Sequence, residues 1–199
     1  MSQAQDVLNV ARGQVGYREG ANNYQKYSPA VPGLEWSQNQ PWCQTFQSWV
    51  FRQAGVANLA PVTAGCAEAV QWYKDKNQFS LYRAVGAMVF FGPEGSAHVG
   101  VVYKYDDTNI YTVEGNTNDD GSAEGNGVYI KSHARRDSYV YGYGYPEYAE
   151  GIVSADPAHG ATPAASDNPS VSSQYTVKAG DSFTTLAGRF NIPVDELAK

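Results

Sequence analysis

The chain has 199 residues, 14 Lys and Arg against 20 Asp and Glu, and a formal charge of −6. That balance excludes the basic face a nucleic-acid binder needs to neutralise phosphates. With 42% hydrophobic and 17% charged residues the chain can form a core, and its length fits one domain of roughly 100–200 residues plus a small module.

Val7, Leu8, Ala11 and Val15 fall on one face of a first helix, with Gly16 as its stop. A polar loop (Glu19-Gly-Ala-Asn-Asn) and a Pro/Gly loop to Gln40 follow. Pro41 suits the first position of a second helix running to Ala54, with an apolar stripe of Trp42, Phe46, Trp49 and Val50. A third helix is expected from Thr63, a candidate N-cap, to Lys76, with Cys66, Ala69, Val70 and Tyr73 inward. The period then switches to two. Strands are expected at 87–91, 97–105, 110–114, 128–133 and 139–145, separated by Gly/Pro and Asn/Asp turns. Helices followed by an antiparallel meander define an α+β fold.

The apolar stretch Ala84–Gly92 is too short for the roughly 20 residues of a membrane span, so no membrane insertion is expected. Met1-Ser-Gln-Ala-Gln-Asp has neither a basic flank nor an apolar run, so no secretory signal is read there. From Gly151 to Gln174 there is no aromatic residue and the composition is Ala/Ser/Pro/Asp/Gly-rich, which reads as a flexible linker containing His159. Apolar periodicity returns at 175–199. The plan is therefore a main domain over 1–150, a linker over 151–174 and a short module over 175–199.

The two cysteines, Cys43 and Cys66, allow one disulfide but no framework, and no Cys-x-x-Cys supports structural zinc. Both lie near helix starts, where unpaired N–H groups and the helix dipole favour a thiolate. The stripes separate them: Cys66 joins the buried face of its helix, whereas Cys43 stands at the edge of its own. His98 opens the strand Ala97-His-Val-Gly-Val-Val. If Lys104 pairs with Ile110 across the Asp106–Asn109 turn, Gly100 opposes Glu114 and His98 opposes Asn116. Gly100 then leaves room for the Glu114 carboxylate to lean toward the imidazole. This set meets the needs of thiol acyl transfer: Cys43 attacks an amide carbonyl, His98 moves the proton, and Glu114 or Asn116 holds the second ring nitrogen. The Cys43 backbone N–H is the natural first oxyanion donor, with Gln38 or Gln40 as a second.

Pro41-Trp-Cys-Gln-Thr-Phe-Gln-Ser-Trp-Val, Ser96-Ala-His-Val-Gly-Val-Val and Tyr111-Thr-Val-Glu-Gly-Asn-Thr, in this order, resemble the CHAP domain, the cysteine- and histidine-dependent amidohydrolase/peptidase family. The resemblance spans roughly residues 5–148. It implies a papain-like fold, cleavage of peptidoglycan amide bonds, Cys43 as nucleophile, His98 as base, Glu114 as orienting acid and Asn116 as a supporting polar residue. The 63–73 stretch also looks like the next helix of actinobacteriophage versions. Residues 175–199 resemble the first half of LysM, a module that binds N-acetylglucosamine-containing glycans, without its closing strand.

The expected function is a phage endolysin-like peptidoglycan hydrolase, an N-acetylmuramoyl-L-alanine amidase or an endopeptidase. It is expected to be a monomer, made in the bacterial host cytoplasm and released to the wall through a holin. Peptidoglycan is the partner, and no cofactor is expected. For calcium, Glu19, Asn22 and Asn23 make a thin ligand set, so no obligatory metal is expected. The alternative is a non-catalytic wall-binding protein on a papain-like scaffold.

Overall fold

Helix α1 (Gln3–Arg12) starts where Ser2 accepts the Gln5 N–H and buries Val7, Leu8 and Ala11. It ends earlier than the apolar spacing predicts. Gly13 caps it, and the Gly16 N–H pairs with the Val128 carbonyl, drawing the chain toward the sheet and leaving Val15 42% exposed. The structure is a computed structural model that describes residues 2–119 and 125–156, all within a compact unit, Met1–Ala164. The expected LysM-like module, His159 and most of the expected linker lie outside the described residues.

Helix α2 (Cys43–Gln53) is buried along most of its circumference, including Gln44, Thr45, Gln47 and Ser48. It begins two residues later than Pro41 suggested. Trp42 is the N-cap residue, so Cys43 is the first helical residue. Helix α3 (Cys66–Asp75) buries Cys66, Ala69, Val70 and Tyr73 as expected. Its N-cap is Gly65 rather than Thr63, whose hydroxyl instead accepts the Gly65 N–H at 3.2 Å.

Among the described residues, six strands form one antiparallel sheet: β1 (Phe79–Ser80), β2 (Met88–Phe91), β3 (His98–Tyr105), β4 (Asn109–Thr117), β5 (Gly127–Ala134) and β6 (Val140–Gly144). Their order is β1-β6-β2-β3-β4-β5. The sequence predicted a simple meander. In the structure only β2 to β5 form one, and β6 returns to the free edge of β2, followed by the short β1. Strand alternation sends Met88, Phe90, Val99, Val101 and Val113 into the core shared with the helices. Val89, Phe91, Val102 and Ile110 build a second apolar cluster with Tyr143 and Tyr145. Helix α2 lies on β3 and β4, which brings the Cys43 end of the helix to the strands carrying His98 and Glu114. This is an α+β arrangement, with helices packed on one antiparallel sheet.

The β3–β4 register decides what faces His98. Val101 pairs with Val113 and Val102 with Thr112, a register that sets Gly100 against Glu114. Beyond that point Lys104 pairs with Tyr111, not with Ile110, and Tyr105 pairs with Ile110. The irregularity between Val102 and Lys104 absorbs the one-residue offset at Tyr103. Without it, the turn register carried down the hairpin would set Gly100 against Gly115 and turn Glu114 to the opposite face.

Candidate active site

Cys43 occupies the first turn of α2, where N–H groups have no intrahelical partner. Its surroundings strongly favour the thiolate. The largest contribution is a hydrogen bond from Cys66; burial opposes it, and His98 and the Gln44 backbone N–H add to it. The net effect holds the Cys43 thiol well below its ordinary range. Cys66 responds in the opposite sense, pushed up by its bond to Cys43 and by burial.

The expected difference in burial between the two cysteines is absent. Cys43 is 7% and Cys66 6% exposed, and their sulfurs lie 3.6 Å apart. The helical stripes missed this because burial at a helix start is set by neighbouring elements, not by the helix's own period.

His98 is the first residue of β3, directly after a tight turn through Gly92, Glu94 and Gly95, all at positive φ. Gly95 has no room for a side chain: a Cβ there would lie 2.8 Å from both Val70 and Tyr141. The turn thus fixes where the strand, and His98, begins. The His98 Nε2 hydrogen-bonds Glu114 Oε2 at 2.9 Å, which leaves Nδ1 for the thiol. Burial works against a charged ring, but the hydrogen bonds and charges of Cys43 and Glu114 push His98 up to about 10.

Glu114 is 1% exposed. Gly100 makes space for it, since a Cβ there would sit 2.6 Å from Glu114 Cγ. Burial would raise its carboxyl, but hydrogen bonds from His133 and His98 overcome this and hold it at about 2. Thr112 Oγ1 donates to Oε1 at 2.5 Å, and His133 Nε2 bonds the same oxygen at 2.6 Å. His133 is the residue that the sequence reading missed. Its signal is parity: on β5, Tyr129, Lys131 and His133 share a face, and Glu114 pairs with Tyr129. The long Asn/Asp/Gly loop between β4 and β5 hides that register from the sequence.

Asn116 does not join His98. A second irregularity, between Glu114 and Thr117, and its own φ of 53° turn it away from the face predicted for it. Its Oδ1 accepts the Trp42 N–H at 2.7 Å, and its Nδ2 donates to the Gly125 carbonyl at 3.2 Å. It therefore braces the residue before Cys43 rather than the imidazole. Glu19 and Asn23, weighed above as calcium ligands, are part of the same brace. Glu19 accepts the Trp42 indole N–H, and Asn23 Oδ1 accepts from Asn116. Gln38 and Gln40 are the two glutamines expected as oxyanion donors. Gln38 Nε2 donates to the Gln25 carbonyl at 3.0 Å, and Gln40 is exposed on the loop before Pro41.

A thiolate beside an imidazolium, with a buried carboxylate on the far ring nitrogen, has the chemical parts that nucleophilic thiol catalysis requires. The family model described as CHAP domain matches residues 35–116. A LysM domain model matches residues 175–199. The CHAP match contains Cys43, His98, Glu114 and Asn116 and ends before His133.

No curated protein sequence matches the chain at a significant level. Among solved structures, the chain is similar to the peptidoglycan hydrolase RipB of Mycobacterium tuberculosis. The two are 16% identical over 71% of this chain and 63% of that one, with a TM-score of 0.44. It is also similar to a hypothetical invasion protein of Mycobacterium tuberculosis, with 15% identity, 73% and 62% coverage and a TM-score of 0.44. A third is the P60 domain of an antigen from M. avium subspecies paratuberculosis, with 18% identity, 71% and 91% coverage and a TM-score of 0.41. The chain thus spans less than two thirds of the RipB structure.

Proposed function

We propose that the protein is a peptidoglycan hydrolase that cuts an amide bond by thiol catalysis. The observation that carries this reading is the connected series Cys43–His98–Glu114 within the segment matched by the CHAP model. The LysM match at 175–199 supports peptidoglycan as the partner. The domain plan we propose is a catalytic domain over 1–150, whose pairing continues through Ser154 and Ala155 to Ala84 and Arg83, then a linker up to 174 and a wall-binding module at 175–199.

The Cys43 thiolate attacks the amide carbonyl to form a tetrahedral oxyanion, toward which the first-turn N–H groups of α2 are the nearest built-in dipoles. His98, protonated in the resting pair, delivers its proton to the leaving amine as the C–N bond breaks. The thioester is then hydrolysed by water, which His98, now neutral, deprotonates. Glu114 keeps the second ring nitrogen donating to it, fixing the tautomer with its hydrogen on Nε2. Either the N-acetylmuramoyl–L-alanine bond or a bond in the stem or cross-bridge peptide satisfies this chemistry. The biological setting we propose is that of a phage endolysin acting as a monomer, reaching the wall through a holin; it rests on the family resemblance.

The test is lysis of purified walls by wild type and by Cys43→Ala, with mass spectrometry of the released muropeptides to name the bond. Loss of lysis with wall sedimentation retained supports the proposal. Lysis by Cys43→Ala overturns it. Wall binding without lysis by the wild type would favour the non-catalytic alternative.

A further inference from the structure

We propose that His133 is a positioning residue of this site: its hydrogen bond to Glu114 holds that carboxylate in place behind His98. The inference rests on the cysteine-hydrolase reading for its consequence, but on geometry alone for its substance.

Glu114 divides its two oxygens between two tasks. Oε2 meets the His98 ring at 2.9 Å. Oε1 is held from the other side by His133 Nε2 at 2.6 Å and by the Thr112 hydroxyl at 2.5 Å. A carboxylate with 1% exposure has little water to satisfy it, so each donor matters. A hydroxyl alone would leave the carboxylate free to pivot about Thr112. Two donors on Oε1 fix the plane of the group and hence the direction of Oε2.

The two imidazoles are themselves held by one ring. Phe91 on β2 packs 4.5 Å from the His133 ring and 5.9 Å from the His98 ring, centroid to centroid. His133 is 20% exposed, so its ring is packed on one side and wet on the other. The titratable groups facing Glu114 are His98 from β3 and His133 from β5; Cys43 acts on it through His98. His133 makes no contact with the sulfur in the described structure, so its action on the nucleophile passes through Glu114 and His98.

The experiment compares the full chain with His133→Phe, which keeps the ring packing but loses the donor, and with His133→Gln, which keeps an N–H donor. The first measurement is the titration of the Glu114 side-chain carboxyl by carbon NMR, which needs no catalysis. The second is wall hydrolysis as a function of pH. In His133→Phe the Glu114 midpoint is expected to rise by about one pH unit or more. The acid limb of the activity profile should rise with it, and kcat should fall about tenfold or more at unchanged KM. His133→Gln should restore both toward wild type. If Phe at 133 does not fold, His133→Asn, too short to reach the carboxylate, gives the same comparison. A folded donor-less variant with the wild-type Glu114 titration and pH profile would overturn the proposal. So would equal behaviour of the Gln and Phe variants. If the wild type does not hydrolyse walls, the functional reading fails, and the Glu114 titration still decides the role of His133.

Discussion

The sulfurs of Cys43 and Cys66 stand 3.6 Å apart, each in the first residue of a helix and each almost wholly buried. Burial therefore does not distinguish the proposed nucleophile, Cys43, from its neighbour. Charge does: Cys66 donates to Cys43, which lowers one thiol and raises the other. Iodoacetamide at neutral pH should alkylate Cys43 first, as followed by peptide mass spectrometry. Cys66→Ala should raise the Cys43 titration midpoint, read from thiolate absorbance, because the largest stabiliser of the thiolate is gone. Faster labelling of Cys66 than of Cys43 would contradict this assignment.

Glu114 is the second point of control. Glu114→Gln keeps the shape but removes the charge, and the amide cannot accept from two imidazoles and a hydroxyl as the carboxylate does. Hydrolysis should fall about 10²–10⁴-fold with the fold retained by circular dichroism. Gly100→Ala should mimic part of this loss, since its Cβ would lie 2.6 Å from Glu114 Cγ and push the carboxylate off His98.

The pH dependence follows from the signs of the shifts. His98 is raised from 6.5 to about 10, so the imidazolium persists through neutral pH and is lost only as pH climbs through about 10. Glu114 is lowered from 4.5 to about 2, so its carboxylate persists well into acid. The thiolate, also lowered, is lost on the acid side. Wall hydrolysis should show a broad plateau centred near neutrality, with its alkaline limb well above the ordinary histidine range. An alkaline limb near 6.5, measured on walls stable at that pH, would show that His98 is not paired as described.

Asn116 should matter for stability more than its distance from the imidazole suggests. Its Oδ1 takes the Trp42 N–H at the start of α2, a side-chain cap supplied from another strand. Asn116→Ala should cost about 0.5–2 kcal/mol by denaturant unfolding, the range of a lost N-cap. It should also lower activity by loosening the residue before Cys43. Asn116→Gly relieves the left-handed backbone at φ 53° yet loses the acceptor, so its stability should lie between Ala and wild type.

The order of the chemistry was legible in the chain: a cysteine at a helix start, a histidine opening a strand, and a glycine placed to make room for a carboxylate on the next strand. These are local facts, set by helix and strand periods and by Gly/Pro punctuation. The tertiary structure decided what local periods do not contain. The irregularity at Tyr103 corrected the hairpin offset so that Glu114 faces His98. The second irregularity, after Glu114, carried Asn116 away to the start of α2. The packing of α3 beside α2 buried both sulfurs together, and β5 brought His133 to the carboxylate. Each depends on register between strands or on contact between distant segments, and a one-residue slip changes neither composition nor hydrophobic alternation while exchanging every partner across the sheet.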